Sequence, residues 1–163
     1  PELDAEDKPI EGTGPKELKN VASGDLDLAS EEEKKEAEEA AKENEALFAA
    51  MKDALGDAVT SVAVSSRLTD APACISAAGP ISLEMERIMA QMPDGGEAPK
   101  SERVLELNVK HPVFDVLKAA QEAGDADKVK LYAEVLYNQA LIVEGMPIDD
   151  PVAYANAVTK LMA

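Results

Sequence analysis

Chemistry that needs a nucleophile, a general base or a soft metal ligand has two side chains to draw on here, Cys74 and His111, each the only one of its type. One thiol and one imidazole exclude most metal cages and any disulfide within the chain. Cys74 lies in the apolar run Ala73-Cys74-Ile75. It reads as a buried small hydrophobe, because a reactive thiol needs an electropositive, partly exposed setting. His111 stands beside Pro112 with no Ser or Cys partner and reads as a turn or cap residue. Carboxylates are plentiful, 33 in all, but a pair does acid–base work only where its surroundings set the two pKa values apart, so abundance carries no catalytic information. No Gly-rich phosphate loop, His-Glu zinc pattern or nucleophile elbow is present. The expectation is a chain that is not an enzyme and holds no metal or cofactor.

Binding chemistry is better represented. In Ser82–Met92, SLEMERIMAQM, the apolar residues Met85, Ile88, Met89 and Met92 fall at i, i+3, i+4 and i+7, which makes one apolar helical face. Pro93 closes the stretch, and Asp94-Gly95-Gly96-Glu97-Ala98-Pro99-Lys100 follows as a loop. Methionine is unbranched and polarizable, so a Met-rich face on a loosely held helix can grip varied partners. A core-facing helix shows the same spacing, and the pattern alone leaves both readings open.

The elements that must position these residues come from one domain's worth of chain. A length of 163 residues buries about 70% of the surface its unfolded form exposes, enough for a core without metal or disulfide. With no Trp, two Phe and three Tyr, that core must be aliphatic. A net charge of −17 argues against nucleic acid and anionic membranes, since phosphate-binding surfaces need clustered Lys and Arg. No apolar run approaches the ~20 residues that span a bilayer and no signal peptide is visible, so the cytoplasm is the default. The chain begins at Pro1 and reads as a piece of a longer protein.

Positions 1–29, rich in Pro, Gly and acid, read as a flexible or loosely packed lead-in. Positions 30–163 read as one domain, mixed α/β over 30–111 and helical over 112–163. Ser30 and Glu33 form a capping box that starts one helix running to Gly56, with Ala37, Leu47, Phe48, Met51 and Leu55 as its apolar stripe. Val59, Val62 and Val64 begin a β-branched strand, Ala73–Ala78 a second, and Val104–Leu107 a third whose alternation puts Leu105 and Leu107 on one face and Glu106 on the other. Pro112 opens a helix that turns Val113, Leu117 and Ala120 inward and ends at Gly124. Asp125 caps a longer one with apolar residues on more than one face, and Asp149 or Asp150 with Pro151 opens the last. The fold class is α+β: a small three-stranded sheet with flanking helices and a C-terminal helical hairpin.

The hairpin turn Gly145-Met146-Pro147-Ile148-Asp149 is short, so its helices should lie antiparallel. A hairpin covers one side of each apolar stripe. Two copies about a two-fold axis bury the rest as an intermolecular four-helix bundle. Alternatively, the rest of the same chain completes the burial, and periodicity does not choose between these.

A resemblance does. Val62-Ala63-Val64-Ser65-Ser66-Arg67-Leu68-Thr69-Asp70-Ala71-Pro72-Ala73-Cys74, then Met85-Glu86-Arg87-Ile88-Met89, Leu105-Glu106-Leu107-Asn108 and His111-Pro112 resemble the C-terminal domain of the heat shock protein 90 chaperones in its bacterial form. The similarity runs from about Leu18 to Met162. Ser66 stands where that family usually has Asn, Pro80 follows Gly79 where an aromatic is common, and the Pro/Gly loop lacks a longer Met-bearing stretch seen in some relatives. The resemblance implies a homodimer held by Leu131, Val135, Leu136, Ile142, Tyr154, Val158, Leu161 and Met162. It also implies contact with unfolded or partly folded client proteins through Met85, Ile88, Met89, Met92 and Leu105. ATP and Mg would belong to a separate N-terminal domain of the parent chaperone, with none bound by this fragment. The alternative is a purely architectural dimer or scaffold whose Met helix is core.

Overall fold

The computed structural model describes residues 31–93 and 99–163. The lead-in over 1–29, the Ser30 half of the capping box and positions 94–98 of the loop lie outside the described residues.

The expected first helix is two: α1 (Glu31–Glu43) and α2 (Glu45–Leu55). Asn44 interrupts them. Its Nδ2 donates to the Ala40 carbonyl at 2.8 Å, on the same acceptor as its own backbone N–H, a local bond of the kind that lets Asn compete with helical geometry. The apolar stripe divides there too. α1 buries nothing, while α2 buries Leu47, Phe48 and Met51.

The sheet comprises β1 (Ser61–Val64), β2 (Ala73–Ala77) and β3 (Arg103–Leu107) in the order β1-β3-β2. β3 runs parallel to β1 and antiparallel to β2. Its register sets Leu105 between Val62 and Ile75, and Glu106 between Ala63 and Cys74. Since alternate residues face opposite sides of a strand, the first row meets the core and the second does not. Leu105 and Leu107 are fully buried. Cys74 departs from its expected place: it is half-buried, on the face away from the core and beside Glu106.

Helix α3 (Leu83–Ala90) connects β2 towards β3. After β3 come α4 (Pro112–Glu122), α5 (Ala126–Val143) and α6 (Pro151–Met162). Their starts follow the sequence: His111 Nδ1 accepts from the Val113 N–H at 3.2 Å, Asp125 Oδ1 from Lys128 at 3.0 Å and Asp150 Oδ1 from Ala153 at 2.9 Å, each satisfying a donor with no partner inside the helix. Gly124 and Gly145 close α4 and α5 at φ of 71° and 70°, a region glycine enters without steric cost.

Helices α2, α4 and α5 pack with the sheet around an aliphatic core in which Met51, Leu105, Leu107, Leu117, Val59 and Val129 are completely enclosed. Phe48 of α2 meets Phe114 of α4 at 6.2 Å between ring centroids, tilted by 51°. Phe114 is buried deeper than the expected Val113, which is only partly covered. Helix α5 touches α2, β2, α4 and α6. Leu131 shares a surface cleft with Leu161, and Asn138 another with Ala153, so α5 and α6 run antiparallel.

Candidate functional site

Two surfaces of the described residues carry exposed apolar side chains. The first is α3. Ser82 Oγ caps it by accepting from the Met85 N–H at 3.1 Å, and from there Met85, Ile88 and Met92 project outward at 43%, 51% and 57% exposure. Met89 is half-buried and Leu83 rests against the core. The one buried side chain of the helix is a carboxylate, Glu86. Its Oε2 accepts from both the backbone N–H (2.9 Å) and the hydroxyl of Ser101, and its Oε1 from Arg103 Nη2 at 2.7 Å. Arg103 Nη1 donates to the Tyr137 hydroxyl at 2.7 Å, and that hydroxyl donates to the Ala58 carbonyl at 3.4 Å.

Burial by itself would raise the Glu86 carboxyl, because a dry setting disfavours charge. The two Ser101 donors and the Arg103 guanidinium outweigh it and hold the group below the usual carboxylate range. Burial likewise disfavours charge on Arg103, and its bonds to Tyr137 and Glu86 more than compensate. Among the described residues the buried Arg103 Nε has no hydrogen-bond partner.

The second surface lies on the hairpin. Helix α6 buries one residue, Ala157. Val143 at the end of α5, and Val152 and Met162 on α6, are 78%, 70% and 81% exposed; Ile142 is exposed as well, and Tyr154, Val158 and Leu161 are half-covered. A twelve-residue amphipathic helix gains its stability in water from packing, and this one has little of it within its own chain.

The "Hsp90 protein" family model matches residues 10–163. The chain belongs to the Hsp90 family. It is 50% identical over 147 residues to the chaperone protein HtpG of Clostridium perfringens, 47% over 148 residues to that of Halalkalibacterium halodurans and 45% over 147 residues to that of Bacillus subtilis. These alignments cover 90–91% of this chain and 23% of each relative. The chain thus spans about a quarter of the length of the curated relatives it matches.

In this Hsp90 family chain the residues singled out from sequence fall into three groups. Met85 and Ile88 on α3, and Met92 two residues past its end, are all exposed, with Met89 half-buried. Leu105 does not join them. It is enclosed in the middle strand, with Val62 and Ile75 beside it, and its side chain serves the core rather than a client-facing surface. Of the hairpin residues, Ile142, Tyr154, Val158, Leu161 and Met162 retain exposed area, and Leu131 is half-buried. Val135 and Leu136 are already buried, Leu136 within the core cluster. The central position of α5 turns that stretch towards the domain.

Sequence reasoning missed Val143 and Val152, which flank the hairpin turn on either side, and the whole Glu86–Ser101–Arg103–Tyr137 network. Position beside the turn was a usable signal for the two valines. Nothing in the spacing marks Glu86, which resembles any solvated acid between apolar positions.

A second polar group sits on the outer face of the sheet. Glu106 accepts from Ser76 Oγ at 2.8 Å and from Arg67 at 3.2 Å, and the Cys74 thiol lies 3.6 Å from it. Burial and then the Glu106 charge push the Cys74 thiol up to about 12, which leaves almost no thiolate at neutral pH. Among the described residues no cluster of His, Cys, Asp or Glu is suited to a metal ion, and no helix is long and apolar enough to cross a membrane.

Proposed function

We propose that this chain is the C-terminal homodimerisation module of an ATP-dependent, cytoplasmic molecular chaperone that assists protein folding. The observation that carries the reading is helix α6, which buries only Ala157 while Val152 and Met162 stay open to water beside the exposed end of α5. A second copy about a two-fold axis would cover Ile142, Tyr154, Val158, Leu161 and Met162, forming the intermolecular four-helix bundle. Each fully buried aliphatic side chain contributes about 1.5–3 kcal/mol, which works against the cost of association. Joining two copies raises the effective concentration of the arms that precede this domain, making their closure intramolecular. The arms would hold ATP and Mg in a separate N-terminal domain; that the relatives are chaperones supports the chaperone part of the reading.

Contact with unfolded or partly folded clients is the second half of the proposal, through Met85, Ile88 and Met92 with Met89 at the edge. Their exposure supports it. Dimerisation is tested by Val158→Asp with Leu161→Asp, which places like charges opposite one another. Sedimentation should report one chain where the parent reports two, and an unchanged mass removes the interface. Client contact is tested in the full-length protein by replacing Met85, Ile88 and Met89 with Ser and measuring suppression of client aggregation. No loss, with the dimer intact, leaves an architectural dimer only.

A further inference from the structure

Helix α3 sets a carboxylate at the position where an amphipathic helix normally buries an apolar side chain. Such helices normally turn the apolar stripe inward and the charges outward. Here the buried residue is Glu86, and Met85, Ile88 and Met92 face water. A buried carboxylate is costly unless every lone pair is matched, and three donors converge on this one: the Ser101 N–H, the Ser101 hydroxyl and Arg103 Nη2.

The partners come from different elements. Ser101 leads into β3, Arg103 is its first residue, and Tyr137, on the far side of Arg103, belongs to α5. The neighbouring Arg87 reaches α5 separately, donating to the Glu144 carbonyl at 3.4 Å where that helix ends. A Cβ at Gly145 would come within 3.2 Å of the Arg87 guanidinium, so the chain there leaves room for it. Two successive residues of α3 thus lead to the hairpin, one at mid-helix through Arg103 and one at its end.

We propose that Glu86, Arg103 and Tyr137 form a polar latch that fixes α3 with its apolar side outward and ties its pose to α5. Their role is positioning; contact belongs to Met85, Ile88 and Met92. Polar anchors suit this because a hydrogen-bonded carboxylate accepts one geometry, whereas an apolar contact tolerates rolling of the helix. A shift of Tyr137 on α5 would loosen the Arg103 grip on Glu86, making α3 sensitive to the helix that carries the dimer surface.

The consequence rests on the reading of α3 as a contact face, but the latch can be tested without a client. Hydrogen exchange on the purified chain would compare the parent with Glu86→Gln and Tyr137→Phe, using Tyr132→Phe as a control on α5. Glu86→Gln should speed exchange over 84–92 by about tenfold while 103–107 and 126–143 keep their protection. Tyr137→Phe should speed the same segment by about threefold, and the control should not. Should Glu86→Gln fail to fold, Ser101→Ala, which removes one donor, should give a smaller acceleration confined to 84–92. Parental exchange over 84–92 in Glu86→Gln, or in Ser101→Ala if that must stand in, overturns the latch. Acceleration by Glu86→Gln with none by Tyr137→Phe overturns the tie to α5. Aggregation suppression, measured separately, can fail with either outcome intact.

Discussion

Helices α3 and α6 each bury a single residue, and the two residues differ in kind: Glu86 on α3, Ala157 on α6. Both helices leave apolar side chains in water. On α3 these are Met and Ile over a polar anchor that fixes orientation. On α6 they are Val152 and Met162, with no such anchor among the described residues. A helix latched by hydrogen bonds can stand with its apolar side free. A helix held by one alanine and a few half-covered side chains is the one for which we propose a second copy as partner. On the proposed function the first surface serves transient contact and the second permanent burial, although the sequence periodicity of the two is alike.

Several substitutions would break or sharpen that contrast. The largest effect is expected from Val158→Asp with Leu161→Asp, which should abolish the dimer outright by sedimentation, while circular dichroism of α2, α4 and the sheet persists. Leu105→Ala should cost about 2–5 kcal/mol in chemical denaturation because Leu105 is enclosed; a negligible loss would return it to the surface group. Glu86→Ala strands the Arg103 guanidinium and should cost about 3 kcal/mol, felt chiefly at α3. Replacing Met85 and Ile88 with Ser should change stability by no more than about 0.5 kcal/mol, as expected of side chains already in water.

Acid gives a graded version of the Glu86 experiment. The carboxyl is held below its ordinary range by Ser101 and Arg103 against the opposing effect of burial. Its contribution is therefore present above the unfolded value of about 4.3 and lost as pH falls through the lower folded value. The groups facing it are Ser101 and Arg103, with Tyr137 behind the guanidinium. Release of α3 should begin below about pH 4, read as exposure of 84–92 to limited proteolysis, and Glu86→Gln should remove that step.

Much of the fold was legible because its signals are local. The caps His111, Asp125 and Asp150 and the stops Gly124 and Gly145 each act within a few residues, and strand alternation placed Leu105 and Leu107 together. The rest depends on distant partners. The break at Asn44 follows from one side-chain bond inside a continuing stripe. That β3 lies in the middle, and that the Leu105 face is the covered one, follows from pairings made across the sequence. The apolar neighbours of Cys74 point to the core, but register sets it opposite Glu106. Of the candidate surfaces, the α3 stripe was legible and the burial of Glu86 beneath it was not, because only the fold brings Arg103 and Ser101 to Glu86.

The central claim, that α6 awaits a second copy, is tested most directly by solution mass across a dilution series of the purified chain. The account expects twice the 17.2 kDa chain mass at high concentration, and one chain mass for Val158→Asp/Leu161→Asp at every concentration. A single-chain mass for the parent throughout, with α6 strongly protected from hydrogen exchange, would contradict it.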